Sequence, residues 1–588
     1  MPSAATCTKK CRDLWWSEVD FGGGSIMTRK AYIAIIVALV IFSTVIYFEK
    51  KSPAQTGPPG TETPGIKGRV MSTYGPLENA RVRVPGSEHY ALTDRQGMFT
   101  LPSGPLPGEK SRITAGKAGW FNNVQVPSVY GRPIDIFLNP VYLNDQPDYR
   151  FISPVTCAKC HGEVTRYWDR SKMAHTSSNP MVLDMFYGTD ALNRQGVAPG
   201  YRLDNPKKNG ECVACHAPSS AASGGAPRDL KAVLQSPLTE WDGISCDYCH
   251  KVRNVIPDAE KPSGRAAVLE RQSSKRGSSI LIFGPYDDVV TPPMAASYNP
   301  LFSEAKFCAT CHSHYRKLDG EKGWDPKGVY SADEWEGLKM KNNRFLPIQT
   351  TFQEWEQWQK QLPFDDPNKG KKCQDCHMGW RKEMLPYDHY VVDGMARRMW
   401  GTYRSPQDIR PHHFDGGTQT QLKTALAMEL EGEITGKNLD LNVYITNTNG
   451  GHWVPTGETM RSVMLVLNVS DSKGKPLKMI KGGTLPRWAG EGALAQGNYA
   501  GFPGAVFARI LEDREGNLHA PFWRATGIYS DTRIRPKKTV ALKFQFALTD
   551  PDDEPTAEAD LIYRPVIKPL ALKKRWVAED ILIARKVW

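Results

Sequence analysis

Ten of the twelve cysteines in this 588-residue sequence lie in a repeated pentapeptide, Cys-x-x-Cys-His. Two thiols three residues apart lie on one helical turn, where both can add to the vinyl groups of a haem, and the adjacent imidazole then lies beneath the iron. The five units supply the thiols Cys157, Cys160, Cys212, Cys215, Cys246, Cys249, Cys308, Cys311, Cys373 and Cys376, and the proximal imidazoles His161, His216, His250, His312 and His377. The pattern therefore predicts five c-type haems.

Zinc is the alternative cofactor for Cys/His units. A structural zinc ion needs four ligands, whereas each unit here offers three. Cysteine use of this kind also differs from that of a secreted disulfide scaffold, so we expect no disulfide in the exported part of the chain.

The ligand on the second face of each iron decides between electron transfer and catalysis, because small molecules react only at an open position. Thirteen histidines minus the five proximal ones leave eight. His89 and His519 lie among turn residues of strand-rich stretches and are predicted to be surface histidines. The remaining candidates are His175, His314, His389, His412, His413 and His452. Six imidazoles suffice for five irons, which favours bis-histidine haems, although Met173, Met378 or Met384 would also serve as ligands.

The segment around the first unit resembles a known superfamily. Cys157-Ala-Lys-Cys-His, followed by Tyr167-Trp168, Ser171 and Met173-Ala-His175, is similar to the first haem unit of the multihaem cytochromes related to the ammonia oxidisers' tetrahaem cytochrome, hydroxylamine oxidoreductase and cytochrome c nitrite reductase. The resemblance implies that His175 ligates a haem from the far side.

Two later stretches are similar to a signature of the same superfamily. They are HHFDGG, residues 412–417, and NTNGGHWVPTG, residues 447–457. The similarity implies distal ligation by His412, in preference to His413, and by His452. His314 lies too close to His312 to bind the same iron, so it would serve a neighbouring haem, and His389 is the fifth distal candidate.

Departures from the superfamily argue against inherited catalysis. The chain has no Cys-x-x-Cys-Lys unit of the nitrite reductase type, and no cross-linking tyrosine is identifiable. Cys157 also lies far beyond the apolar N-terminal run, unlike the haem units of small quinol-oxidising tetrahaem proteins. Direct quinol oxidation is therefore not expected of this chain alone.

Residues 31–48 form an uncharged apolar run, roughly 27 Å long as a helix, which predicts a membrane anchor. The basic residues before it place residues 1–30 in the cytoplasm and the bulk of the chain outside. A cleaved signal peptide is the alternative, and either reading exports the rest. Met27 also resembles a natural start, which would leave the Cys7/Cys11 pair, otherwise a candidate cytoplasmic metal or redox pair, outside the protein.

The fold class predicted for the chain is multidomain: an anchor helix, a β-sandwich, a mainly helical and loop-rich multihaem core, and a C-terminal β-sandwich. After a Pro- and Gly-rich linker at 49–65, alternating strands at 66–140 predict the first sandwich. Its sequence resembles the carboxypeptidase regulatory-like domain, which implies a spacer or adhesion role. Haem units fill 149–417, and strand patterns return at 418–588.

The net charge of +12 would suit nucleic acid or anionic lipid. About ten haem propionates would offset it, and no Lys/Arg block is present, so no nucleic-acid partner is expected. The sequence predicts an electron carrier between extracytoplasmic redox proteins, held at the cytoplasmic membrane. One alternative is an oxidoreductase acting on a small nitrogen or sulfur compound at one open haem. The other is a subunit of a filamentous or surface assembly, hence a homo-oligomer or larger redox complex.

Overall fold

The structure is a computed structural model that describes residues 65–588, apart from 103–111, 128–131, 210–211, 224–228, 235–242, 258–265, 273–279, 292–293, 319–344 and 380–408. The chain divides into two units at Thr63/Pro64, and every described residue belongs to the second. The predicted anchor at 31–48, the Cys7/Cys11 pair and all of the predicted linker except Gly65 lie outside the described residues. Within the described ranges, no helix has the length and apolarity needed to span a bilayer.

The first domain is a sandwich of two four-stranded sheets. In one sheet β1 pairs with β2, β5 and, in parallel, β8, and the order of the other is β4-β3-β6-β7. Its strands are β1 (Ile66–Ser72), β2 (Gly75–Pro76), β3 (Arg81–Arg83), β4 (Ala91–Leu92), β5 (Met98–Leu101), β6 (Ile113–Gly116), β7 (Asn123–Gln125) and β8 (Ile134–Phe137). Alternate side chains such as Val70, Val82 and Ile136 fill the core, because successive residues of a strand point to opposite faces. The predicted strands at 80–84, 98–101 and 134–138 are confirmed.

The middle region combines short helices with three two-stranded sheets, β9-β10, β11-β12 and β13-β14. Its helices are α1 (Pro154–Ala158), α2 (Gly162–Asp169), α3 (Pro180–Tyr187), α4 (Tyr201–Asp204), α5 (Cys212–His216), α6 (Pro218–Ala222), α7 (Leu230–Leu234), α8 (Cys246–Cys249), α9 (Thr351–Gln361) and α10 (Cys373–His377), with 3-10 turns at Pro300–Ser303 and Ala305–Thr310. Its strands are β9 (Val252–Val255), β10 (Ala267–Leu269), β11 (Ile280–Gly284), β12 (Met294–Tyr298), β13 (His314–Lys317) and β14 (Phe345–Gln349).

The C-terminal domain is a second sandwich, with sheet orders β15-β16-β22-β18 and β19-β17-β23-β24 and a separate β20-β21 pair. Its elements are α11 (Gln419–Ala425), β15 (Leu426–Thr435), β16 (Asn438–Asn447), β17 (Ser462–Ser470), β18 (Lys478–Lys481), β19 (Gly504–Phe507), β20 (Arg509–Glu512), β21 (Gly527–Asp531), β22 (Thr539–Ala547), β23 (Thr556–Arg564), α12 (Lys568–Lys574) and β24 (Ile581–Val587), with 3-10 turns at Arg487–Ala489 and Leu494–Gln496. The predicted strands at 439–445, 463–469, 540–546 and 559–563 are confirmed.

Both sandwiches are docked against the middle region. Leu346 and Ile348 of β14 share one apolar cluster with Leu511 of β20 and Ile528 of β21. On the other side, Arg83 of β3 donates to Asp287 at 2.7 Å. The middle region thus gains supporting structure from the two β-rich domains that flank it.

Candidate haem-attachment sites

Each Cys-x-x-Cys-His unit forms a single tight turn. The amide of His161 donates to the carbonyl of Cys157 at 2.9 Å, and the corresponding bonds in the third and fourth units are 3.0 Å long. The i to i+4 bond places the first thiol and the imidazole on one side of the turn. None of these ten described cysteines forms a disulfide, so the residues present suit thioether attachment of haem.

Helix caps explain why these short turns form where they do. Ser153 accepts a hydrogen bond from the amide of Val155 at the start of α1, and Pro154 occupies the first helical position. Ser245 accepts from the amide of Tyr248 at the start of α8 in the same way. The sequence thus begins the first and third units with a capping serine.

Units that are distant in sequence contact one another through their cysteines. Among the described residues, thiols in hydrogen-bonding contact include Cys157 with Cys246, Cys215 with Cys311, and Cys308 with Cys373. They join the first unit to the third, the second to the fourth and the fourth to the fifth. The spatial order therefore differs from the order along the chain.

Tyr248, between the two cysteines of the third unit, lies at the centre of this arrangement. Its side chain is buried, and burial raises its pKa well above the ordinary value. The thiols of Cys311, Cys249 and Cys215 act on it electrostatically, so the ring lies close to three units at once. In the sequence, this tyrosine is only one of the two variable residues of its motif. The tertiary structure shows that its ring lies close to three units.

Several proximal imidazoles are oriented through Nδ1. His250 donates from Nδ1 to the carbonyl of Phe283 at 2.6 Å, and His377 donates from Nδ1 to the carbonyl of Asp415. His312 Nδ1 lies 2.9 Å from the side-chain amide of Gln349. Donation from Nδ1 to a carbonyl, as in His250 and His377, fixes the tautomer and leaves Nε2 for a metal. The buried Nδ1 of His216 has no hydrogen-bond partner among the described residues.

Burial keeps these imidazoles neutral. Loss of hydration lowers the pKa of His312, His314 and His412 to about 4. It also lowers the pKa of His161 and of His377. The neutral ring is the form that binds a metal ion, so the electrostatic environment suits ligation.

His452 lies beside the proximal histidine of the fifth unit. Its ring centre is 6.1 Å from that of His377, and the two ring planes differ by 10°. Nδ1 of His452 donates to the carbonyl of Trp453 at 2.9 Å, so both rings of the pair have Nε2 available.

The adjacent histidines at 412 and 413 differ in which ring nitrogen is engaged. His412 donates from Nδ1 to the carbonyl of Arg410 at 2.8 Å and lies within electrostatic range of His250 and His161. His413 instead donates from Nε2 to the carbonyl of Gly379 at 2.8 Å. Only the first therefore presents Nε2 next to proximal histidines.

The other predicted distal ligands have different surroundings. His175 is exposed, and its Nε2 bonds to the carbonyl of Asp169 at 2.7 Å. His314, on β13, packs edge-on against Phe522 with ring centres 4.9 Å apart. His389 lies outside the described residues.

The two histidines predicted to be on the surface differ. His89 is exposed, as predicted. The prediction was wrong for His519, because both of its ring nitrogens are buried, without a hydrogen-bond partner among the described residues, and its ring contacts Trp488. Turn residues on either side of it suggested exposure, but a tryptophan from another loop covers the ring.

Sequence reasoning also missed Glu354, which holds the loop that carries His452. This buried carboxylate accepts hydrogen bonds from the amide of Trp453 at 3.2 Å, from the hydroxyl of Thr456 at 2.9 Å and from Arg533 at 2.6 Å. The polar composition of α9 suggests an exposed helix, and no local pattern marks one of its glutamates as buried.

A family model described as cytochrome c554 and c-prime matches residues 156–251, which contain the first three units. Among solved structures, the penta-heme cytochrome c552 from Thermochromatium tepidum aligns with 75% of this chain and 100% of its own, at 20% identity and a TM-score of 0.48. The Fcho1 mu homology domain from Danio rerio aligns with 28% of this chain and 48% of its own, at 9% identity and a TM-score of 0.12. No curated protein matches. The family match supports a multihaem c-type cytochrome and suggests electron transfer.

Proposed function

We propose that this chain is a pentahaem c-type cytochrome that carries electrons between redox partners outside the cytoplasm, anchored to the cytoplasmic membrane through residues 31–48. The observation that supports this most is the contact among thiols of different units. Attachment sites this close together suit electron transfer through the molecule. Five cofactors that worked separately would not need neighbouring attachment sites.

When bound, c-type haem supplies reversible one-electron exchange at its iron. The ten thiols would hold the five groups covalently, and the proximal imidazoles would bind their irons. The Nδ1 hydrogen bonds of His250 and His377 would hold these rings in a fixed orientation. The domains on either side would exclude water from the middle region.

His377 and His452 are the best supported pair of ligands for one haem. Their ring centres lie 6.1 Å apart, their planes are nearly parallel, and both rings have Nε2 available. If both bound the iron of the fifth unit, no position would remain there for a substrate, which favours electron transfer.

The other distal ligands are assigned from fewer contacts. His412 would serve the first or third unit, beside His161 and His250. His314 would serve a neighbour of the fourth unit, and His389 would serve another unit. Ligation by His175 requires exchange of its bond to Asp169. The first sandwich, which resembles the carboxypeptidase regulatory-like domain, would act as a docked support for the haem region.

The decisive experiment is intact mass spectrometry of the purified mature protein combined with electron paramagnetic resonance of its oxidised form. We expect five haem masses above that of the polypeptide and only low-spin ferric signals. A high-spin signal that shifts with nitrite or hydroxylamine would instead indicate an oxidoreductase. Polymers seen by sedimentation or imaging would indicate a filamentous assembly, and a protein without added mass would refute the proposal.

A further inference from the structure

A fully buried lysine follows directly after the third haem-attachment unit. The side chain of Lys251, next to His250, has 0% relative exposure. Its ammonium group lies 2.8 Å from the carboxylate of Asp247 and also donates to the carbonyl of Leu281. Lysine is almost never buried without a counter-charge, so Asp247 supplies what this position needs.

The counter-charge is part of the haem motif itself. Asp247 lies between Cys246 and Cys249, and its side chain is 2% exposed. Its second oxygen accepts hydrogen bonds from the hydroxyl of Tyr149 and from the amide of Ile152, both at 2.8 Å. The carboxylate is therefore held at both oxygens. The position after the first cysteine of this unit thus carries a buried charge.

The pair lies between two attachment units. Asp247 and Lys251 both act electrostatically on the thiol of Cys157, which contacts Cys246. The pair also faces the imidazole of His250, the hydroxyl of Tyr149 and the ring of the same tyrosine, 5.1 Å from the ammonium. Charges act strongly on one another in such an interior, because little solvent screens them.

We propose that Lys251 and Asp247 are a fixed pair of opposite charges that sets the reduction potential at the third unit, an inference that rests on the proposed function. A nearby positive charge favours the reduced iron and a nearby negative charge favours the oxidised iron. Because the two charges are held together, their opposite effects on the reduction potential largely cancel. The third unit then keeps a potential at which it can exchange electrons with the first.

Spectroelectrochemical titration of the full-length holoprotein tests this inference, because the two charges have opposite effects. Asp247→Asn removes the negative charge and should raise one of the five midpoint potentials. Lys251→Met removes the positive charge and should lower the same one. The double variant should return it towards the original value. A purely structural pair would give losses of stability and haem content without opposite potential shifts.

The control is an ion pair in the C-terminal domain with one buried partner and one partly exposed partner. Arg564 is 2% exposed and pairs with Asp580 at 2.7 Å, so Asp580→Asn should leave every potential unchanged. If Lys251→Met fails to take up haem, Asp247→Asn decides alone, since it keeps the side-chain shape; an unchanged or lowered potential overturns the inference. Failure of the proposed function would appear earlier, as wild-type protein without haem.

Discussion

Single ring nitrogens separate ligand candidates that the sequence places side by side. His412 is bonded through Nδ1 and keeps Nε2 available, whereas Nε2 of His413 is engaged with Gly379. We therefore expect His412→Ala to convert one low-spin haem to the high-spin form and His413→Ala to leave all spin states unchanged. Electron paramagnetic resonance of the oxidised variants makes the comparison. The reverse pattern, or a high-spin signal from both, would contradict the assignment.

His519 predicts a pH dependence of stability. Burial lowers its pKa from 6.5 to about 4, so between these values the unfolded chain binds a proton that the folded chain does not. Stability from this residue is present above the unfolded pKa and is lost as the pH falls towards 4, with a slope of up to about 1.4 kcal/mol per pH unit. His519→Phe should reduce the change of the urea-unfolding midpoint with pH between pH 6.5 and 4. An unchanged slope would show that other groups cause it.

At the scale of elements, the β-rich domains were far more predictable than the haem region. Alternation in 439–445 or 540–546 requires only that one face of a strand be buried, so the pattern survives in the sequence. The haem region has short turns whose order depends on contacts between distant units, such as that of Cys157 with Cys246. The attachment residues were readable from their spacing, but the neighbours of each unit were not.

The ion network behind α9 joins the haem region to the C-terminal domain. Glu354 bonds Arg533 at 2.6 Å, and Arg533 also bonds Asp531 at 2.8 Å, and all three side chains are buried. Breaking such a pair leaves an uncompensated buried charge, so Glu354→Gln should lower the free energy of unfolding by about 3–5 kcal/mol. Chemical denaturation followed by circular dichroism measures the loss.

Glu356, two residues further along α9, provides the matched control. It forms a solvent-exposed pair with Lys360 at 3.4 Å, and pairs of this kind contribute about 0–1 kcal/mol. Glu356→Gln should therefore have little effect. Equal losses of unfolding free energy in the two variants would mean that burial of the network does not determine its contribution to stability.

At the scale of the whole molecule, the contacts among attachment units give a route for the proposed electron transfer. The first unit contacts the third, Tyr248 of the third lies among thiols of the second and fourth, and the fourth contacts the fifth. The third unit therefore occupies the middle of this route, and the first lies at one end.

Removal of single attachment sites tests that order. Cys246→Ser with Cys249→Ser should reduce the mass by one haem and separate the first unit from the rest, so that electrons delivered by pulse radiolysis redistribute much more slowly. Cys157→Ser with Cys160→Ser should also cost one haem but should leave redistribution among the other four fast, because an end of the route is lost and not its middle. Circular dichroism would confirm that both variants keep the wild-type fold. Equal slowing in the two variants would show that the attachment units are not connected in the order given by their thiol contacts.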